Sequence, residues 1–143
     1  MTRRLHAAAP DTVIDGFLLQ QMVSGVEVLV GARDDALYGP MLVLGTGGVM
    51  VELIRDIALR LLPVTADDVR AMLSGLRLRT LLDGHRGAPP ADTGALVAAA
   101  VALGDFYLAH RPWLADIEIN PLMVRPAGQG VCAVDVRTVR REG

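Results

Sequence analysis

Residues 114–136 read LADIEINPLMVRPAGQGVCAVDV. Alternation predicts a strand over Leu114–Asn120, continued by Pro121–Arg125. Asp116, Glu118 and Asn120 share one face, and Ala115, Ile117 and Ile119 the other. Pro126–Gly130 has the composition of a turn, and Val131–Val136 is expected to return antiparallel. Asn120 and Asp135 then fall toward the open, strand-end side of this hairpin. Oxygen donors converging from two strands suit Mg²⁺, which fills its other positions with phosphate and water. A solvated sheet face with scattered acids has the same spacing, and the spacing leaves both readings open.

Upstream, Asp92 is a good N-cap for a long Ala-rich helix over 93–110, stopped before Pro112. HRGAPP (85–90) reads as a loop; its His85-Arg86-Gly87 could bind an anion or simply turn the chain. Leu78–Leu82 reads as a short helix stopped by Gly84. Thr65 with Asp68 three residues on resembles a capping box and predicts a helix over 66–74. The stretch after Gly48 is ambiguous between helix and strand, with a strand favoured at 57–62, ended by Pro63. Gly45-Thr46-Gly47-Gly48 follows an apolar strand, Met41–Leu44. Such a turn can offer backbone N–H groups to an anion or serve as a tight connection. Val26–Ala32 reads as a strand paired in a hairpin with another over 13–23, and Arg33-Asp34-Asp35 as a turn. Residues 2–9 read as a short helix before Pro10. Strands, then helices, then a hairpin make an α+β domain, a mostly antiparallel sheet covered by helices.

Composition narrows the chemistry. The chain has 143 residues, 52% hydrophobic and only 3% aromatic, so its core must be aliphatic. Met22, Met41, Met50, Met72 and Met123 are expected in it. All 14 basic residues are Arg. The lack of Lys excludes Schiff-base chemistry and a Walker-type phosphate lysine. A net charge of −2 supplies no basic field for nucleic acid. No apolar run is long enough to suggest a membrane span. The lone Cys132 cannot form an internal disulfide, and a reducing, cytoplasmic setting is expected. His6, His85 and His110 are scattered and read as surface or capping residues. Ser24 and Ser74 lack a nucleophile-elbow context.

Several stretches together carry a resemblance. They are GFLLQQMVSGVEVLVGARDDALYGPMLVLGTGGVMVEL (16–53), DIALRLLPVTADDVRAML (56–73), LLDGHRGAPPAD (81–92), DIEINPLMV (116–124) and AVDVR (133–137). The sequence resembles the ATP-grasp part of ADP-forming acyl-CoA synthetases. It is similar to the β-subunit of acetyl-CoA synthetase and, more distantly, of succinyl-CoA synthetase. The E-I-N-P-L element and the run of Gly-Pro, then G-x-G-G, then Glu are specific in combination.

The resemblance implies a second-half ATP-grasp subdomain, spanning 1–143 as one domain, that binds ATP or ADP with Mg²⁺. It implies a hinge at Gln20, Gln21, Met22 and Val23 for the adenine edge, and Glu27 at the ribose. It places Gly47 and Gly48 near the transferred phosphate, and Asn120 and Asp135 on the metal. It sets Glu118 toward a phosphohistidine carried by a partner CoA-binding domain. An N-terminal ATP-grasp subdomain with its phosphate-covering cations is expected elsewhere, as is the CoA-binding domain. The implied activity is that of an acid–CoA ligase forming ADP. A non-catalytic remnant acting as a binding or regulatory module, or a part of an acyltransferase fusion, is the alternative. Half of a two-subdomain cleft should leave a sticky face around Met22, Leu44 and Ile119, favouring a partner or a homo-oligomer.

Overall fold

Alternating apolar residues on two neighbouring strands decide which side of the sheet is the inside. In the computed structural model, which describes Val13 and residues 15–48 and 56–141, strand β1 runs Val26–Asp35 and β2 Gly39–Thr46. They pair antiparallel with Val30 opposite Leu44 and Ala32 opposite Leu42, and all four side chains are buried. Strands β3 (Ile57–Leu61), β4 (Leu114–Val124), β5 (Val131–Ala133) and β6 (Val136–Arg140) complete the sheet. The order is β3-β2-β1-β4-β5, with β6 also on β4. Every pairing is antiparallel. β5 and β6 are two pieces of one returning segment.

Helices α1 (Ala66–Ser74), α2 (Leu78–Leu82) and α3 (Thr93–His110) gather on the Val30 face. α3 packs on β1, β2 and β4, and α1 on β2 and β3. The start of α1 is the expected capping box. Thr65 Oγ1 accepts from the Asp68 N–H at 3.2 Å, and Asp68 Oδ2 accepts from the Thr65 N–H at 2.9 Å. Asp92 caps α3 by accepting from the Ala95 N–H at 3.0 Å. The same carboxylate accepts from Gly128 and Gly130 N–H groups at 3.0 and 2.9 Å, so it also holds the β4–β5 turn. These backbone donors, Ala95 first, lower its pKa. α3 has the length and apolar composition of a membrane span; here it buries Leu96, Val97, Ala100, Leu103 and Tyr107 in the core.

Four expectations are corrected. The described residues of 13–23 form no strand. Both edges of β1 are taken, by β2 and by β4, so no edge is left for a hairpin with that stretch. Arg33-Asp34-Asp35 stays within β1. The turn lies at 36–38, where Asp35 Oδ1 accepts from Leu37 and Tyr38 N–H groups at 2.9 and 3.0 Å. Met22 is 92% exposed, while Met41, Met72 and Met123 are buried as expected. Leu44, placed on a sticky face, is fully buried beneath the helices, with Ile119 half-buried at the edge of that core. The helix expected at 2–9, His6, Met50 and most of the ambiguous stretch lie outside the described residues.

The core and the cap give two measurable consequences. Leu44→Ala should cost about 2–5 kcal/mol in chemical denaturation. The Thr65 N–H and hydroxyl and the Arg60 guanidinium lower the Asp68 carboxyl from its usual 3.8 to about 2. A carboxyl held lower in the folded state stabilises above its unfolded pKa, and that contribution is lost as pH falls through the folded value. The stability gap between wild type and Asp68→Asn should therefore be full above about pH 4 and close toward pH 2. A gap constant across that interval would show the carboxylate's charge to be irrelevant.

Candidate functional site

The side of the sheet away from the helices is built around one irregularity. On β4, Leu122 faces Val28 and Ile119 faces Val30, so Asn120 and Pro121 together oppose the single residue Leu29. Such a bulge locally redirects side chains and is common beside functional sites. The redirected Asn120 carboxamide accepts the Gly48 N–H at 2.8 Å. Gly47 donates its N–H to the Glu27 carbonyl at 2.9 Å. The glycine turn is thereby folded across the start of β1 and joined to β4. Gly48 has φ +72°, and a Cβ there would lie 1.7 Å from Glu27 Oε2. A Cβ on Gly47 would lie 2.6 Å from the Val28 backbone. Gly47 is required by the close approach of the Val28 backbone and Gly48 by its left-handed φ, with the Glu27 carboxylate packed against it; the Gly48 N–H is spent on Asn120. The turn is thus the tight connection that was one of its two readings.

Asp135 lies across the ladder from Asn120: its carbonyl accepts the Asn120 N–H at 3.1 Å, between the register pairs Ile119–Val136 and Leu122–Ala133. It sits in the gap between β5 and β6 and is exposed. The ladder continues past this pair to Leu114–Arg140. Asn120 and Asp135 therefore stand mid-hairpin, not at its open end. The Asn120 oxygen keeps a second lone pair. Among the described residues no three His, Cys, Asp or Glu side chains gather as a metal site. An amide and a carboxylate oxygen fit Mg²⁺ only where phosphate or water supplies the other positions.

Gln20, Gln21, Met22, Val23 and Glu27 line one cavity of about 470 Å³, a size suited to a small molecule. Its other wall is Pro121, Met123, Cys132, Ala133 and Val134. Sequence reasoning missed this wall. Met123 was assigned to the core, and it is in fact buried, yet its position opposite both Glu27 and Cys132 brings it to the cavity. Glu118 is not in this cavity. It lies further along β4, opposite Gly31 on one side and Arg137 on the other. Arg137 Nη2 is 3.1 Å from Asp116 Oδ1 and 3.9 Å from Glu118 Oε2. Arg137 was another residue the sequence reading passed over. Gly47 faces a separate groove with His85 and Arg86. A further hollow of about 400 Å³ is lined by Asp34, Arg111 and Arg141. Its charges are engaged with one another, Arg111 Nε lying 2.9 Å from Asp34 and Arg141 also pairing with it.

A family model described as an ATP-grasp domain matches residues 1–139. The chain belongs to the ATP-grasp domain family. This ATP-grasp chain is 31% identical over 131 residues to the ADP-forming acetate–CoA ligase II subunit beta of Pyrococcus furiosus, covering 91% of the chain and 56% of that subunit. It is 37% identical over 123 residues to a trans-feruloyl-CoA synthase from an unknown prokaryotic organism, covering 85% of the chain and 17% of that protein. Among solved structures it matches an acetyl-coenzyme A synthetase of Ca. Korarchaeum cryptofilum, solved with coenzyme A and Mg-AMPPCP and with a phosphohistidine segment pointing towards the nucleotide binding site. That match has a TM-score of 0.78 at 32% identity and covers 84% of this chain and 55% of that one. The ATP-grasp chain thus spans about half or less of these relatives' lengths. The expected α+β architecture, an antiparallel sheet covered by helices, is the one these structures share.

The contact of Gly48 with Glu27 and Asn120 can be probed directly. Ala at either Gly48 or Gly128 must adopt a left-handed backbone (φ +72° and +80°), but only at Gly48 does the added Cβ meet another atom. Each substitution should cost about 1–2 kcal/mol for the backbone. Gly48→Ala should cost more in denaturation and should move the Asn120 side-chain amide resonances. Equal costs, with unmoved Asn120 resonances, would remove this contact from the site.

Proposed function

We propose that this ATP-grasp chain is the nucleotide-holding part of an ADP-forming acyl-CoA synthetase, which passes a phosphoryl group between ATP and a histidine on a partner domain. One observation carries the reading. The bulge at Asn120–Pro121 sets the hinge-lined cavity beside the Asn120–Asp135 pair on the same hairpin. The relatives' names and the Mg-AMPPCP-bound Korarchaeum structure support it.

In this reading Gln20–Val23 offer backbone groups to the adenine edge, while Pro121, Met123 and Val134 cover the ring. Glu27 accepts from the ribose hydroxyls. Gly47 and Gly48 keep the wall bare of side chains near the phosphates. Asn120 and Asp135 hold Mg²⁺, which when bound neutralises phosphate charge. Glu118 accepts the N–H of the partner imidazole and so directs the opposite ring nitrogen at the phosphorus. Catalysis of this kind is mainly positioning and charge neutralisation. The further parts of the reaction belong to an N-terminal ATP-grasp subdomain with its cations and a CoA-binding domain bearing the histidine. Nucleotide binding without those parts is expected to be weak, because their cations neutralise most of the phosphate charge.

Calorimetry of ATP binding with Mg²⁺ tests the reading. Asp135→Ala should weaken binding about tenfold or more, the loss of one ionised ligand, and chelation of Mg²⁺ should do the same to wild type. Glu118→Gln should keep nucleotide affinity and lose phosphoryl exchange once a histidine-bearing partner is supplied. Unchanged affinity in Asp135→Ala would remove Asp135 from the site. Lost affinity in Glu118→Gln would contradict its assigned role.

A further inference from the structure

The loop at 84–88 carries basic side chains that the nucleotide cavity does not use. Arg86 sits at φ +51°, a left-handed conformation uncommon outside glycine and, where it occurs, often tied to function. The loop is closed beneath it by the Ala88 N–H on the His85 carbonyl at 3.1 Å and the Ala91 N–H on the Leu82 carbonyl at 2.8 Å. Arg86 and His85 face the Gly47 turn across a groove of about 450 Å³. A second groove of about 350 Å³ adds Arg77 and Thr80 and shares Thr46, Leu81 and His85 with the first. Together they form one trough.

Charge decides what the trough can hold. Among the described residues the ion pairs use Arg60, Arg70, Arg79, Arg111, Arg137 and Arg141; Arg77 and Arg86 take no part in them. Two acids are near. Asp56 accepts from the Arg77 and Leu78 N–H groups at 3.0 and 2.8 Å and from the Thr46 hydroxyl at 3.1 Å, and its charge also acts on the Arg77 guanidinium. Glu27 lines both the trough and the nucleotide cavity, forming the wall between them. Its carboxylate packs against Gly48. Arg77 and the Thr80 hydroxyl line the second groove and Arg86 the first, with the His85 imidazole shared by both. Arginine presents forked donors matched to phosphate oxygens.

We infer that this trough is a binding site for a phosphate-type oxyanion, held by Arg77 and Arg86 with His85 and Thr80 as further donors, across Glu27 from the nucleotide cavity. The inference extends the nucleotide reading by naming a second anion position beside it. The occupant is either a free phosphate or the terminal phosphates of the nucleotide.

The test is titration of the chain with inorganic phosphate, followed by the arginine Nε–Hε resonances and by calorimetry, with chloride at equal ionic strength as the blank. Phosphate should saturably shift the Arg77 and Arg86 signals. Arg86→Gln and Arg77→Gln should each weaken phosphate about tenfold or more, and the exposed Arg140→Gln should not. Amide spectra of the variants matching wild type away from the loop would show that folding is intact. No saturable shift, or equal binding by Arg86→Gln and wild type, overturns the inference. Adenosine, which has no phosphate, tests the nucleotide cavity alone. Phosphate bound without adenosine would keep the trough and sink the nucleotide reading, and the converse would do the opposite. ATP displacing phosphate assigns the trough to the nucleotide tail; ADP and phosphate bound together assigns it to a separate anion.

Discussion

A hydrogen bond between residues far apart in the chain, Gly48 N–H to Asn120 Oδ1, ties the glycine turn to β4 at the candidate site. It requires Asn120 to leave the regular pleat, which the extra residue opposite Leu29 permits. It also relies on the left-handed φ of Gly48, with the Glu27 carboxylate packed where a Cβ would stand. One bond thus positions a candidate metal donor, a candidate ribose acceptor and the glycine turn together. Two hollows lie on either side of Glu27. One takes its walls from the hinge and the returning strand, the other from the turn and the His85–Arg86 loop.

Much of this architecture was legible in the sequence because it is governed locally. The Thr65–Asp68 box, Asp92 before an Ala-rich run, and Pro112 after it mark α1 and α3 to the residue. The strand expected at 57–62 from alternation and Pro63 is β3, one residue shorter. What failed was long-range. Residues 13–23 are apolar enough for a strand, but pairing depends on a free edge, and β1 has none. Leu44 is buried where a sticky face was expected because the helices cover its side of the sheet, while Met22 is exposed, as that face required but a core methionine would not be.

The same division runs through the candidate site. Glu118, Asn120 and Asp135 stood out as polar residues at alternating positions on a predicted hairpin. The hinge and Glu27 came only from resemblance, since nothing in their spacing announces a cavity. Met123 and Cys132 were out of reach because a buried or partly buried residue on a strand reads the same whether it faces a core or a pocket wall. The bulge that turns a line of residues into a site changes no composition, so it leaves no sequence signal beyond the Asn-Pro pair.

Asp92 has a consequence for how this molecule can move. Its two oxygens grip the first turn of the long helix and both glycine N–H groups of the β4–β5 connection. Unravelling of that helix end and opening of the hairpin tip therefore share a single latch and tend to happen as one event. The strap of residues 15–24, by contrast, carries no ladder of its own and shares no such latch.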